Sequence, residues 1–358
     1  MISRRKFIQG SSAMLTLAGT GLTVGFAPRA MAAGTTNNTL VMLFFRGGMD
    51  ALNFLVPRTG INRDEYVAKR PAIAIPDNRI LNLNGEFGIP STCADLQTLY
   101  SRGEMAMIHS VGMPDGLSSR SHFDSQAMFE KGTPGAITGS TGWLARHLDS
   151  NPAFPEDAII SSMAPGFSPE SFLGEPNLLS IDSTNTSGFH PNSGRYADDH
   201  MVALRELYNG NSSLDLAIGG ALNNVDILSE LTLSIPDYYP DTGLAEDLGL
   251  IAQIIKANLG LHVATVDFGG WDTHENQGDN GQGYFVDRLG TVSQAVGAFF
   301  RDLRESGKNN QVVLATQTDF GRRVRENGNR GTDHGSGQAM MVVGGNVNGG
   351  QVYGRFPG

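Results

Sequence analysis

The sequence predicts an α/β fold built on a mostly parallel sheet, and three observations predict it. Continuous apolar runs of strand length recur along the chain, the clearest being Leu40-Val-Met-Leu-Phe-Phe45. Stretches with helical apolar spacing lie between them. Each of the strongest runs ends in a glycine-bearing loop that carries Asp or His. With 358 residues, 40% of them hydrophobic, the chain can bury a sizeable core.

The first 32 residues read as an address. Arg4 and Arg5 precede a weakly apolar stretch, Ala13 to Phe26, and Ala30-Met-Ala32 is an A-x-A cleavage pattern. This resembles a twin-arginine export signal. The expected organisation is a signal peptide over 1–32 and one domain over 33–358, with an inserted helical region at about 196–245. The expected partner in transit is the twin-arginine machinery, and the expected location is the periplasm or the medium. Without the leader, 22 basic residues face 36 acidic ones, a net charge of −14. So acidic a chain lacks the basic surface that phosphate-backbone binding needs, which excludes nucleic acid as a partner. No apolar run reaches the ~20 residues of a membrane-spanning helix. The single cysteine, Cys93, excludes an internal disulfide framework and cysteine-rich zinc sites.

Further strands are expected at 105–108, 158–160, 262–268, 311–316 and 340–343. The first run, apolar without alternation, reads as buried on both faces. Helices are expected at 94–101, 125–131, 142–148, 198–207, 214–231, 244–259 and 286–305. The last shows the pattern most clearly, with Leu289, Val292, Val296, Phe299, Phe300 and Leu303 on one face. Residues 164–200, rich in Pro, Ser, Gly and Asn, read as a long loop.

The chemistry is expected beyond the strand ends, where open parallel sheets bind ligands. Asp50 follows the first run, Asp272 and His274 follow the run at 262–268, and Asp319 and then Asp333-His334 follow the run at 311–316. Asp and His without thiolates suit a hard or borderline divalent ion, Zn or Mn, as one ion or two. Clustered carboxylates repel one another unless a cation is present. A hydroxyl nucleophile is sought in Leu117-Ser-Ser-Arg-Ser-His-Phe-Asp124, just before a predicted helix. Ser121 is chosen because Arg120 and His122 flank it, Arg120 being suited to a phosphate or sulfate oxygen, and Ser119 is the second choice.

These stretches resemble the DUF1501 family of exported proteins, a branch of the alkaline phosphatase-like superfamily that also holds sulfatases and cofactor-independent phosphoglycerate mutases. The family-like segments are Phe45 to Pro57, Arg120 to Gln126, Gly270 to His274, Thr318 to Arg323, Gly331 to Gly335, Gly344 to Gly350 and Tyr353 to Gly358. The resemblance implies helices on both faces of the central sheet. It implies Asp50, Asp272, His274, Asp333 and His334 as metal ligands and Ser121 at the nucleophile position. Asp319 stays beside Asp333 as an alternative. Asp272-x-His274 departs from the superfamily's commoner Asp-x-x-x-His. Family members continue past the closing Pro-Gly, so the chain is expected to be C-terminally incomplete. The implied activity is hydrolysis of phosphate or sulfate esters through a serine nucleophile, with a small-molecule or polysaccharide ester as substrate. The alternative is a non-catalytic exported binding protein on the same scaffold.

Overall fold

The computed structural model describes residues 38–114, 116–150, 158–175, 178–181, 197–212 and 234–356, the strand fragments Leu15–Thr16 and Leu22–Val24, and a few single positions between 214 and 222. The leader expected over 1–32, those two fragments apart, and most of the helix expected over 214–231 lie outside the described residues.

In chain order the main elements are β1 (Thr39–Phe45), α1 (Ala94–Ser101), β2 (Met105–Val111), α2 (His122–Lys131), α3 (Trp143–Ser150), β3 (Ser162–Pro165), β4 (Leu178–Ile181) and α4 (Ala197–Leu207). They continue with α5 (Gly243–Lys256), β5 (Val263–Phe268), α6 (Tyr284–Glu305), β6 (Val312–Thr318), β7 (Gln338–Gly344) and β8 (Gln351–Tyr353). The expected strand at 158–160 is displaced to β3. The stretch expected as a long loop contains β4, a short run that loop-forming residues surround on both sides.

The chain forms two compact units, one of 1–39, 140–235 and 250–265, the other of 40–139, 236–249 and 266–358. In the first, β3 pairs in parallel with β4 and with the start of β5, where Val263 faces Ser162. In the second, the strand order is β5–β1–β6–β7–β2–β8. The ends of β5, β1 and β6 lie together: the Arg46 N–H donates to Phe268 O at 3.1 Å, and Thr318 Oγ1 donates to Phe45 O at 2.6 Å. These three strands therefore run the same way. β7 is antiparallel to both β6 and β2, and β8 runs parallel to β2. The sheet is thus mostly parallel, as expected, with β7 reversed. Apolarity alone does not encode that reversal, since a buried strand reads the same in either direction.

β1, expected to be buried on both faces, is so only over Leu43–Phe45, since Leu40 and Met42 are half-buried. Along β1 and β6 every second residue is fully buried, with half-buried positions between them at the start of β1 and throughout β6. The apolar face of α6 is buried, including Phe285, Leu289, Val292, Val296, Phe299 and Leu303. Each such side chain contributes roughly 1.5–3 kcal/mol on leaving water. α6 packs on α1 at Gly297, where a Cβ would stand 2.6 Å from the Asp95 Cβ. Cys93 sits fully buried at the N-terminus of α1, and burial pushes its thiol up to about 12. A small antiparallel sheet of Val56–Pro57, Ile80–Asn82 and Phe87–Pro90, and a helix over Gly60–Lys69, were not expected. Their runs are too short or too polar to stand out.

His109 is buried between Phe87 and Phe356, and its Nε2 has no hydrogen-bond partner among the described residues.

Candidate metal centre

Three loops of the second unit leave neighbouring strand ends. They approach so closely that a Cβ on Gly47 would lie 2.6 Å from the Asp272 backbone nitrogen. Gly47 also has φ +118°, a value that favours glycine. Phe320, just after β6, packs its ring against those of His122 and His334 at 4.7 and 4.4 Å. Above it, four side chains converge.

His122 Nε2 lies 3.1 Å from His334 Nε2, and His274 Nε2 lies 2.8 Å from the same atom. Asp272 Oδ1 stands 3.4, 3.1 and 3.4 Å from the Nε2 atoms of His122, His274 and His334. His122, Asp272 and His334 each offer one donor atom, all within 4.8 Å of one another.

The outer nitrogens fix the protonation. His122 Nδ1 meets Asp319 Oδ2 at 2.5 Å, and His334 Nδ1 meets the Arg120 carbonyl at 2.8 Å. Both partners only accept, so each Nδ1 carries a hydrogen, and in the neutral ring each Nε2 then presents a lone pair. His274 Nδ1 likewise faces Asp333 Oδ1, at 3.6 Å. With neutral rings, acceptors face acceptors at the centre, an arrangement that repels unless a cation lies among them. A tetrahedral ion about 2.1 Å from each donor needs donor separations of about 3.4 Å. The edges of the His122–Asp272–His334 triangle, 3.1 to 3.4 Å, fit it. Carboxylate or carbonyl support behind each imidazole is the usual outer arrangement of a metal ligand. These residues fit a divalent ion.

Charge agrees with that role. Burial works against the Asp272 charge, but the Arg322 hydrogen bond and positive charge outweigh it and hold the carboxyl below the usual carboxylate range. Asp333 is held low chiefly by its hydrogen bond from Asn327 Nδ2. Burial lowers the His334 imidazole, against the pull of the Arg120 carbonyl and with the Arg322 charge adding to it. His334 thus stays a neutral donor at pH 7. Asp272 and His274 keep 48% and 42% of their side-chain surface exposed, so a substrate can reach the centre.

Residues 249–358 match the family described as "Protein of unknown function (DUF1501)". No curated protein matches the chain. Among solved structures, the chain is similar to the PsFucS1 sulfatase from Pseudoalteromonas sp. at 11% identity and TM-score 0.38, covering 88% of this chain and 64% of that one. It thus spans under two thirds of that sulfatase. It is similar to a protein in the alkaline phosphatase superfamily from Vibrio parahaemolyticus at 9% identity and TM-score 0.37, covering 99% and 71% of the two chains. It is also similar to the C-terminal periplasmic domain of EcEptC from Escherichia coli, in complex with Zn, at 7% identity and TM-score 0.37, covering 90% and 77%.

The DUF1501 segment supplies Asp272, His274 and His334 to the centre, while His122 comes from outside it, at the start of α2. Of the expected ligands, Asp319 and Asp333 stand one layer out, behind His122 and His274. Asp50 is not brought in. It is buried, caps Ala51–Phe54, and pairs with the fully buried Arg70 at 2.6 and 3.0 Å. Gln277 Nε2 takes a further bond to it at 2.7 Å. His122, expected to flank the nucleophile, is instead a ring member. Arg120 contributes its carbonyl to the centre, and its side chain is exposed. Ser121 is the N-cap of α2, accepting the Asp124 N–H at 3.4 Å, while Ser119 Oγ donates to Asp124 Oδ2 at 3.2 Å. Sequence reasoning missed Arg70 and Arg322. Arg322 stood inside a family-like stretch, but an Arg-Arg pair in a polar loop reads as solvated charge.

Proposed function

We propose that this chain is an exported, metal-dependent hydrolase of phosphate or sulfate esters. The observation that carries the reading is the convergence of three imidazole Nε2 atoms and one carboxylate oxygen on a solvent-accessible point. His122, Asp272 and His334 would hold the ion, with His274 beside them. A donor set without thiolates favours Zn or Mn, and one or two ions suit it. The ion supplies Lewis-acid charge for a displacement at phosphorus or sulfur.

The chain's own residues do the rest. Asp319 and the Arg120 carbonyl hold the imidazoles of His122 and His334 in one tautomer. The exposed Arg120 guanidinium binds non-bridging ester oxygens. Ser121 stands where α2 presents free N–H groups and the positive end of its dipole. Its Oγ attacks the central atom, its proton passes to the departing alkoxide, and water then cleaves the serine ester and restores the hydroxyl. The twin-arginine leader would deliver the folded protein to the periplasm or beyond. Among the described residues no helix is long and apolar enough to cross a membrane.

One observation favours the second reading, a non-catalytic binding protein on this scaffold. Among the described residues no Ser, Thr or Tyr hydroxyl hydrogen-bonds to His122, Asp272, His274 or His334. Elemental analysis and turnover of nitrophenyl phosphate and nitrophenyl sulfate separate the two. The hydrolase reading expects bound Zn or Mn with turnover, and His334→Ala losing both. Bound ion without turnover across ester classes supports the binding protein. A stable protein that takes up no ion in metal-supplemented growth ends the hydrolase reading.

A further inference from the structure

Arg322 is a buried guanidinium whose bonds gather three separate loops. Its Nε donates to Gly48 O at 2.5 Å and its Nη1 to Thr332 O at 2.9 Å. Its Nη2 donates to Gly47 O at 2.5 Å, to Trp271 O at 3.2 Å and to Asp272 Oδ1 at 2.6 Å. Gly47 and Gly48 follow β1, Trp271 and Asp272 follow β5, and Thr332 lies in the loop between β6 and β7. The planar fork thus ends on one carboxylate oxygen of the centre and on the backbone beside it. The carbonyls of Gly47, Gly48 and Thr332 have no other donor among the described residues and would be left unpaired at considerable cost, while that of Trp271 also accepts the Thr273 N–H at 2.9 Å. Glycine lets this packing close: a Cβ on Gly335 would lie 2.5 Å from the Arg322 carbonyl carbon.

We propose that Arg322 is a positioning residue that sets the metal centre before any ion arrives. It fixes Asp272 Oδ1 and the three loops in the ligating arrangement, so the ion enters a site already formed. A lysine cannot substitute, because one ammonium with three donors cannot span carbonyls on three loops in the plane that the fork dictates. The inference rests on reading the cluster as a cation site.

The test is zinc affinity, measured by competition with a chromophoric chelator at a temperature where every variant is folded. Arg322→Lys is expected to bind Zn²⁺ about 10- to 100-fold more weakly than the wild type. Arg70→Lys is the control, because Arg70 is equally buried yet bonds only Asp50, Asn53 and the carbonyls of Arg323 and Val324. It should melt earlier and keep its zinc affinity within about threefold. Unchanged affinity in Arg322→Lys, or an equal loss in both variants, overturns the proposal. If Arg322→Lys does not fold, hydrogen exchange on the wild type decides. The amides of Gly47, Thr332 and Gly335 should be as protected without zinc as with it; protection that appears only with zinc overturns the proposal. A wild type that binds no divalent ion at all would instead remove the cation-site reading beneath it.

Discussion

Asp50 shows how one carboxylate can satisfy every sequence criterion for a ligand and still serve the fold. Its position after β1 and its glycine neighbours suit a metal. Arg70, twenty residues on, takes both of its oxygens. Nothing in the residues around Arg70 announces that pairing, because it arises only when the chain beyond Gly60–Lys69 folds back. Asp272, His274 and His334 were legible because each stands directly in a strand-end loop, where side chains face a common edge. Asp50→Ala is expected to cost about 3–5 kcal/mol in urea unfolding, since it leaves a buried guanidinium unpaired. The folded fraction should keep its metal stoichiometry; loss of the ion would return Asp50 to the ligand set.

Among elements, α2 carries the most function per residue. Its cap, Ser121, and its first residue, His122, were both singled out from sequence, although the helix was expected to start three residues later. Asp124 and Ser125 read as capping residues themselves, which hid the true start. In the proposed reading the same serine has two separable duties, cap and nucleophile. Ser121→Ala is expected to cost about 1 kcal/mol in unfolding free energy through loss of the cap. Metal content should not change, and ester turnover, if Ser121 is the nucleophile, should fall to background. Turnover that survives would assign the attack to water. The direction of β7 was the element-scale feature that sequence did not yield. Its consequence is that His334 is carried on a loop entering a strand, whereas Asp272 is carried on one leaving a strand.

For the molecule as a whole, acid is the revealing stress. Burial pushes the His109 imidazole down to about 4 from an ordinary 6.5, and among the described residues its Nε2 has no partner that would welcome a proton. The unfolded chain takes up that proton near 6.5 and the folded one only near 4. Stability from this group is therefore complete above 6.5 and is lost as the pH falls towards 4. Urea midpoints measured across that window should drop with pH, and His109→Phe should flatten the drop. An identical profile in the variant would show that other groups set the acid limit.

One sulfur atom closes the account of how this polypeptide meets its surroundings. Cys93 is sealed at the start of α1, with its thiol held protonated far above neutral pH. A thiol in that state is a poor nucleophile towards disulfides and a poor target for oxidants. A change from a reducing to an oxidising medium would form no internal disulfide, because the sequence holds no second cysteine. Folding then requires neither a disulfide oxidase nor a disulfide isomerase.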